Sequence, residues 1–183
     1  MNPLCPRKPW RRNPANAAKL YGAIVAQARL PVFYRQLAVP DTLDGRFLVL
    51  SVHLFAVLHR LKAEGEAGRD LAQALTDQFS LDMETVFREV GFGDLAIPKR
   101  VRGLAAASAG LLQAYEEALE AGEERLSATM AKAFPLRAAF PEAAMRRLAH
   151  YLTRMVQALE EQSLAALAAG DAQFPGIHSG EEP

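Results

Sequence analysis

The chain has 183 residues, 50% of them hydrophobic and 23% charged, with 21 Lys and Arg against 21 Asp and Glu. That length suits a single domain, and that composition is too apolar for a chain disordered throughout. The zero net charge conceals a split, because residues 1–40 hold seven cations and no acid while the remainder carries 14 cations against 21 acids.

The first dozen residues, MNPLCPRKPWRR, contain three prolines and four cations and read as a flexible basic arm over residues 1–13. Arg7, Lys8, Trp10, Arg11 and Arg12 have three readings: attachment to an anionic membrane with the indole at headgroup level, neutralisation of phosphates on ribosomal or other RNA, or a solubilising start. No apolar run of the kind a secretory leader needs comes after the arm. The single Cys5 excludes an intramolecular disulfide and fits a reducing compartment.

Asn13-Pro14 is a helix start, and Leu20, Ile24 and Ala28 form the stripe of a helix reaching Arg29. Pro31 interrupts, a short helical turn is expected over 32–37, and 40–45 (PDTLDG) is a connection in which Asp41, Thr42 or Asp44 can cap the next helix. From Arg46 to Lys62, Phe47, Leu50, Leu54, Leu58 and Leu61 keep helical spacing while Val49, Val52, Phe55 and Val57 fill the other faces, which predicts an enclosed central helix. Its apolar run, Phe47 to Leu58, is 12 residues long, well short of the ~20 that cross a bilayer.

Gly65 to Gly68 reads as the stop of that helix, with a second long one over 69–90 carrying Leu71, Leu75, Phe79, Met83 and Phe87 in register and Ser80 as a bend point. Gly91-Phe92-Gly93-Asp94 suits a helix stop, and Pro98 opens a helix running to about residue 121. Helices are predicted over 123–133 and 141–169, and residues 171–183 read as a disordered tail. With no hairpin signal, the expectation is an all-α fold: one helical domain over 14–170, of about six or seven helices around the buried helix at 46–62.

Catalytic and cofactor signatures are missing. The sequence has no Gly-rich phosphate loop, dinucleotide fingerprint, HExxH, CxxC or nucleophile elbow, so no cofactor, metal site or catalytic residue is expected. Of the four histidines, His53 sits on the enclosed helix, where a general base or haem ligand competes with a hydrogen-bonded structural histidine, and the latter is favoured. Two polar clusters interrupt the apolar pattern. Asp41, Thr42, Asp44 and Arg46 read either as capping groups or as a partner surface, and Arg88, Glu89, Asp94 and Lys99 either as a solvated helix end or as an interaction surface.

The string Phe33-Tyr34-x-x-Leu37-x-Val39-Pro40-Asp41-Thr42-x-Asp44-Gly45-Arg46-Phe47, with His53-Leu54-Phe55 and Leu58-x-x-Leu61, resembles the ubiquinol-cytochrome c chaperone family. A second block, Phe79, Asp82-Met83 and Phe87-Arg88-Glu89-x-Gly91-x-Gly93-Asp94-Leu95 with Lys99, resembles that family's other signature. The departures are Glu84 for Asp, Val90 for Met and Pro98 for Gly, and the resemblance spans about Leu20 to Tyr115. It implies a non-enzymatic assembly factor that holds newly made cytochrome b during assembly of the ubiquinol-cytochrome c reductase. A small partner protein and a contact with the ribosome or an anionic membrane surface are further implied, with no DNA partner. Without the long presequence of mitochondrial relatives, it implies a bacterial-type member, cytoplasmic and peripherally associated with the inner membrane. Asp41, Asp44, Arg46, Arg88, Glu89, Asp94 and Lys99 are by analogy the candidate client or partner surface, an internal polar network being their other reading. The competing classes are a lipid or quinone carrier or enzyme with a pocket near His53, and an RNA- or ribosome-binding module using the arm. An enclosed cavity at His53 favours the first of these, and an open groove favours the chaperone.

Overall fold

A computed structural model describes residues 14–132 and 140–177, and among them it contains eight helices and no strand. In chain order these are α1 (Pro14–Ala28), α2 (Val32–Arg35), α3 (Leu43–Ala63), α4 (Glu66–Glu89), α5 (Ile97–Glu120), α6 (Glu123–Lys132), α7 (Glu142–Glu160) and α8 (Leu164–Ala169). The basic arm, and the last six residues with His178, lie outside the described residues.

Thr42 sets where the central helix begins. Its backbone is extended (φ −119°, ψ 169°) and its hydroxyl oxygen accepts from the Gly45 N–H at 3.2 Å, so of the three candidate caps Thr42 is the one used. Asp44 occupies the first turn, where its charge suits the positive end of the helix dipole. Gly45 is buried against the preceding loop, and a Cβ there would collide with the Pro40 carbonyl oxygen. The chain therefore turns from Pro40 into α3 at backbone contact distance, which no other residue permits.

Every residue from Val52 to Val57 is buried, so α3 has no solvent face along its middle. It packs against α1, α4 and α7, and more lightly against α5. Burying each Leu, Val or Phe of this helix contributes about 1.5–3 kcal/mol, which makes it the main source of apolar cohesion.

Several features differ from the sequence expectation, the first being that α3 begins at Leu43 rather than at residue 46, because Thr42 caps it. The connection before α4 is shorter, because Gly68 does not end a helix but lies within α4, where a Cβ would strike the Leu61 carbonyl oxygen of α3. Through Ser80 α4 runs without interruption, and the hydroxyl donates to the Thr76 carbonyl at 3.0 Å. The long helix expected over 141–169 is two helices. Arg60, buried on α3, donates from Nε to the Leu159 carbonyl at 2.9 Å and from its guanidinium to the Gln162 carbonyl at 2.8 Å, ending α7, and the Ser163 hydroxyl then caps α8 by accepting from the Ala166 N–H.

Residues 171–177, expected as the start of a disordered tail, have no regular secondary structure but are packed: Ala172 is buried, and Gln162 and Gln173 exchange hydrogen bonds of 2.7 and 2.8 Å. Phe174 lies edge-on to His53, with ring centroids 5.4 Å apart.

His53 is fully enclosed, with the Phe33, Tyr151 and Phe174 rings around it at 5.1–5.5 Å. A carbonyl only accepts, so the 2.7 Å contact to Val49 O fixes the proton on Nδ1, leaving Nε2 to accept from the Tyr151 hydroxyl at 3.1 Å. Tyr151 in turn accepts from the Gln27 amide at 3.3 Å, so one polar chain ties α1, α3 and α7 together inside the core. Burial lowers the His53 pKa to about 4, against a smaller opposing effect of its bond to Val49.

Because the folded pKa lies below the unfolded value of 6.5, the unfolded chain takes up the proton first. The associated stability, about 3 kcal/mol, is complete above pH 6.5 and is lost as pH falls toward 4. Thermal unfolding monitored by circular dichroism is expected to show a midpoint that drops across this window, with a smaller drop in His53→Gln.

Candidate functional site

The two sequence blocks that carry the family resemblance meet in space. The end of α1, the turn through α2, the start of α3, the C-terminal half of α4 and Leu104 of α5 line an open groove of about 1070 Å³. Its floor is apolar, made by Val25, Phe47, Leu50, Met83, Val86 and Phe87, with Leu104 at one end. Phe47 is half-buried and rests on Phe79, ring centroids 6.3 Å apart, so its position is fixed by the core beneath it.

Charged residues line the groove as well: Arg29, Arg35 and Arg46 with Asp41, Asp44, Asp82 and Glu89. Arg46 Nε donates to Asp41 Oδ1 at 2.7 Å, and this hydrogen bond holds the Asp41 carboxyl below its usual range. The pair is exposed, so its contribution is to orient two side chains at the rim rather than to hold the fold. Asp82 accepts from the Tyr21 hydroxyl at 2.7 Å, which joins α1 to α4 across the groove wall; burial, and secondarily this bond, raise the Tyr21 pKa. Tyr34 donates to the Ala28 carbonyl at 3.1 Å and closes the corner between α1 and α2.

Of the seven candidate residues for a client surface, the structure brings four to the groove: Asp41, Asp44, Arg46 and Glu89. Arg88, Asp94 and Lys99 are exposed at the corner between α4 and α5, where Arg88 Nε approaches Asp94 Oδ1 at 3.5 Å. Arg7, Lys8, Trp10, Arg11 and Arg12 lie outside the described residues. Sequence reasoning missed the apolar floor, along with Arg29, Arg35 and Asp82 at its edge. A signal for it was present in Val86 and Val90, apolar residues off the Leu75, Phe79, Met83 and Phe87 stripe of α4.

Three features decide what this arrangement can do. Leu43 and Val90 stand 65% and 56% exposed at the groove, an apolar surface the fold itself leaves uncovered. His53 is not among the lining residues and its ring is walled in by aromatic neighbours, so the carrier or enzyme reading built on it has no access route. No group of His, Cys, Asp or Glu among the described residues is arranged to hold a metal ion. The groove can take up apolar side chains and align a few charges; it assembles no nucleophile with a base.

Residues 35–174 match the family described as ubiquinol-cytochrome C chaperone. The chain is similar to ubiquinol-cytochrome c reductase complex assembly factor 1 of the frog Xenopus laevis, 22% identical over 144 residues that cover 79% of this chain and 72% of the relative. The human protein of that name is 20% identical over 147 residues, covering 80% of this chain, which spans about half of the human relative's length. The crystal structure of the Cbp3 homolog from Brucella abortus is 39% identical and superimposes with a TM-score of 0.76, covering 90% of this chain and 91% of that one.

Leu43→Ser combined with Val90→Ser is expected to leave the free energy of unfolding, from denaturant titration, within about 0.5 kcal/mol of the original, as for other exposed positions. The same pair should lower the fluorescence of a naphthalene sulfonate dye added to the folded protein, since it removes the apolar lip of the groove.

Proposed function

Since the chain belongs to the ubiquinol-cytochrome c chaperone family, we propose that its groove holds an apolar segment of newly made cytochrome b until the partner subunits are in place. The protein is a chaperone or assembly factor for the ubiquinol-cytochrome c reductase complex. The observation that carries the client reading is that both signature blocks line one open, apolar-floored groove. A membrane protein awaiting insertion exposes long apolar helices, and such a helix laid in a groove is read through side chains spaced along one face. Phe47, Leu50, Val86 and Phe87 offer apolar contact to that face, while the Asp41–Arg46 pair and Glu89 are placed to meet polar groups at its ends.

The reading assigns the chain no reaction. Holding and release require an affinity that later subunits can outcompete, and an open groove with part of its apolar surface exposed beforehand is suited to that. No helix among the described residues is long and apolar enough to cross a membrane. The chain then meets its client at the membrane surface, from the cytoplasmic side, rather than within the bilayer.

Deleting the gene is expected to lower both cytochrome b and assembled reductase in membranes. A chain carrying Leu43→Asp and Val90→Asp, present at normal levels, should fail to restore them. Normal reductase in the deletion strain would overturn the function, and full restoration by the double variant would overturn the role of the groove.

A further inference from the structure

The corner between α4 and α5 lies beside the groove but is built differently. At the end of α4, the Gly91 N–H returns to the Arg88 carbonyl and the Phe92 N–H to the Phe87 carbonyl, each at 3.0 Å, so the chain reverses tightly. Phe92 then packs edge-on against Phe87 at 5.9 Å, and Arg100 covers its ring with the guanidinium carbon 3.7 Å from the centroid. The loop into α5 is therefore held from below by an aromatic pair and a cation. On it, Leu95 is 99% exposed while its neighbour Ile97 is 3% exposed. One apolar side chain anchors the loop inward and the other stands in solvent.

Around Leu95 the charge runs against the rest of the body. Residues 88–102 contain Arg88, Lys99, Arg100 and Arg102 against Glu89 and Asp94, whereas the chain beyond residue 40 as a whole is acidic, with 14 cations to 21 acids. Three of these cations lie in the first turns of α5, a helix with no acid in its first turn and no side-chain cap. Cations at that end oppose the helix dipole, so helix formation supplies no reason for them. An anionic surface does: it would be attracted by the exposed Lys99 and Arg102, with Leu95 and Val90 available to enter an apolar layer.

We propose that this corner is a contact for an anionic lipid surface, with Leu95 inserting at the level of the acyl chain boundary and Lys99 and Arg102 facing the phosphate headgroups. A bilayer is favoured over a protein partner because a single protruding leucine near exposed cations needs only a fluid apolar layer beneath charge, not a shaped pocket. The contact is separate from the arm at the start of the chain. It also stands apart from the client reading, since client retention and lipid binding are measured independently. Its consequence for the groove is positional: Val90, which lines the groove, belongs to the same turn, so a docked corner brings the groove mouth to the membrane.

The test uses the full chain with Arg7, Lys8, Arg11 and Arg12 replaced by Gln, so that the arm is silent. Sedimentation with vesicles of equimolar phosphatidylcholine and phosphatidylglycerol is expected, with little on pure phosphatidylcholine. Adding Lys99→Gln and Arg102→Gln, which leaves Arg100 on the Phe92 ring, should weaken it by about thirtyfold, given roughly 1 kcal/mol for each cation near such a surface. A Leu95→Trp reporter, made with Trp10→Phe, should shift its emission to the blue on the mixed vesicles. Undiminished sedimentation of the Lys99 and Arg102 double variant, an unshifted reporter, or binding to RNA with none to the vesicles would each overturn the proposal.

Discussion

The approach of Gly45 to the Pro40 carbonyl is the constraint on which the rest of the site depends. It lets the chain turn into α3 within one residue of the Thr42 cap, and so fixes the rotation of that helix about its axis. With that rotation set, Leu48, Val49 and Val52 go inward while Phe47 and Leu50 remain half-buried on the groove side. The same helix then places Gly68 of α4 against its far end and Arg60 against the last carbonyls of α7. Both long neighbours are thus positioned by backbone-level contacts, which tolerate less drift than side-chain packing does.

Core and surface divide the polar groups in a consistent way. The His53 and Tyr151 pair is buried and hydrogen-bonded, with half-buried Gln27 at its end, which suits a role in fixing how α1, α3 and α7 meet. By contrast, Arg46, Asp41 and Glu89 stay in water around an apolar floor. The basic corner adds a charged surface beside the groove.

Much of the fold was legible in the sequence. Helical periodicity located α1, α3, α4 and α5 because each carries one dominant apolar stripe, and the extra apolar residues of α3 announced its enclosure. What periodicity could not reveal was the break at 161–163, since the carbonyls that end α7 are taken by Arg60 on α3, about a hundred residues away in sequence. The packing of Phe174 onto His53 was hidden for the same reason: residues 171–177 form no helix of their own and are held by contacts distant in sequence, the His53 ring among them. For the site, charged residues were easy to single out, and four of the seven reach the groove. Its floor was not, because Phe47, Met83 and Phe87 read as core in a sequence, and only the geometry shows that some of these side chains have one side bare.

The central claim is that the client lies in this groove. A photoreactive amino acid placed at Val86, and separately at the exposed Gln157 of α7, tests it during membrane protein synthesis in cells. The account predicts a crosslink to newly made cytochrome b from position 86 and none from position 157. A crosslink from 157 with none from 86 would contradict it.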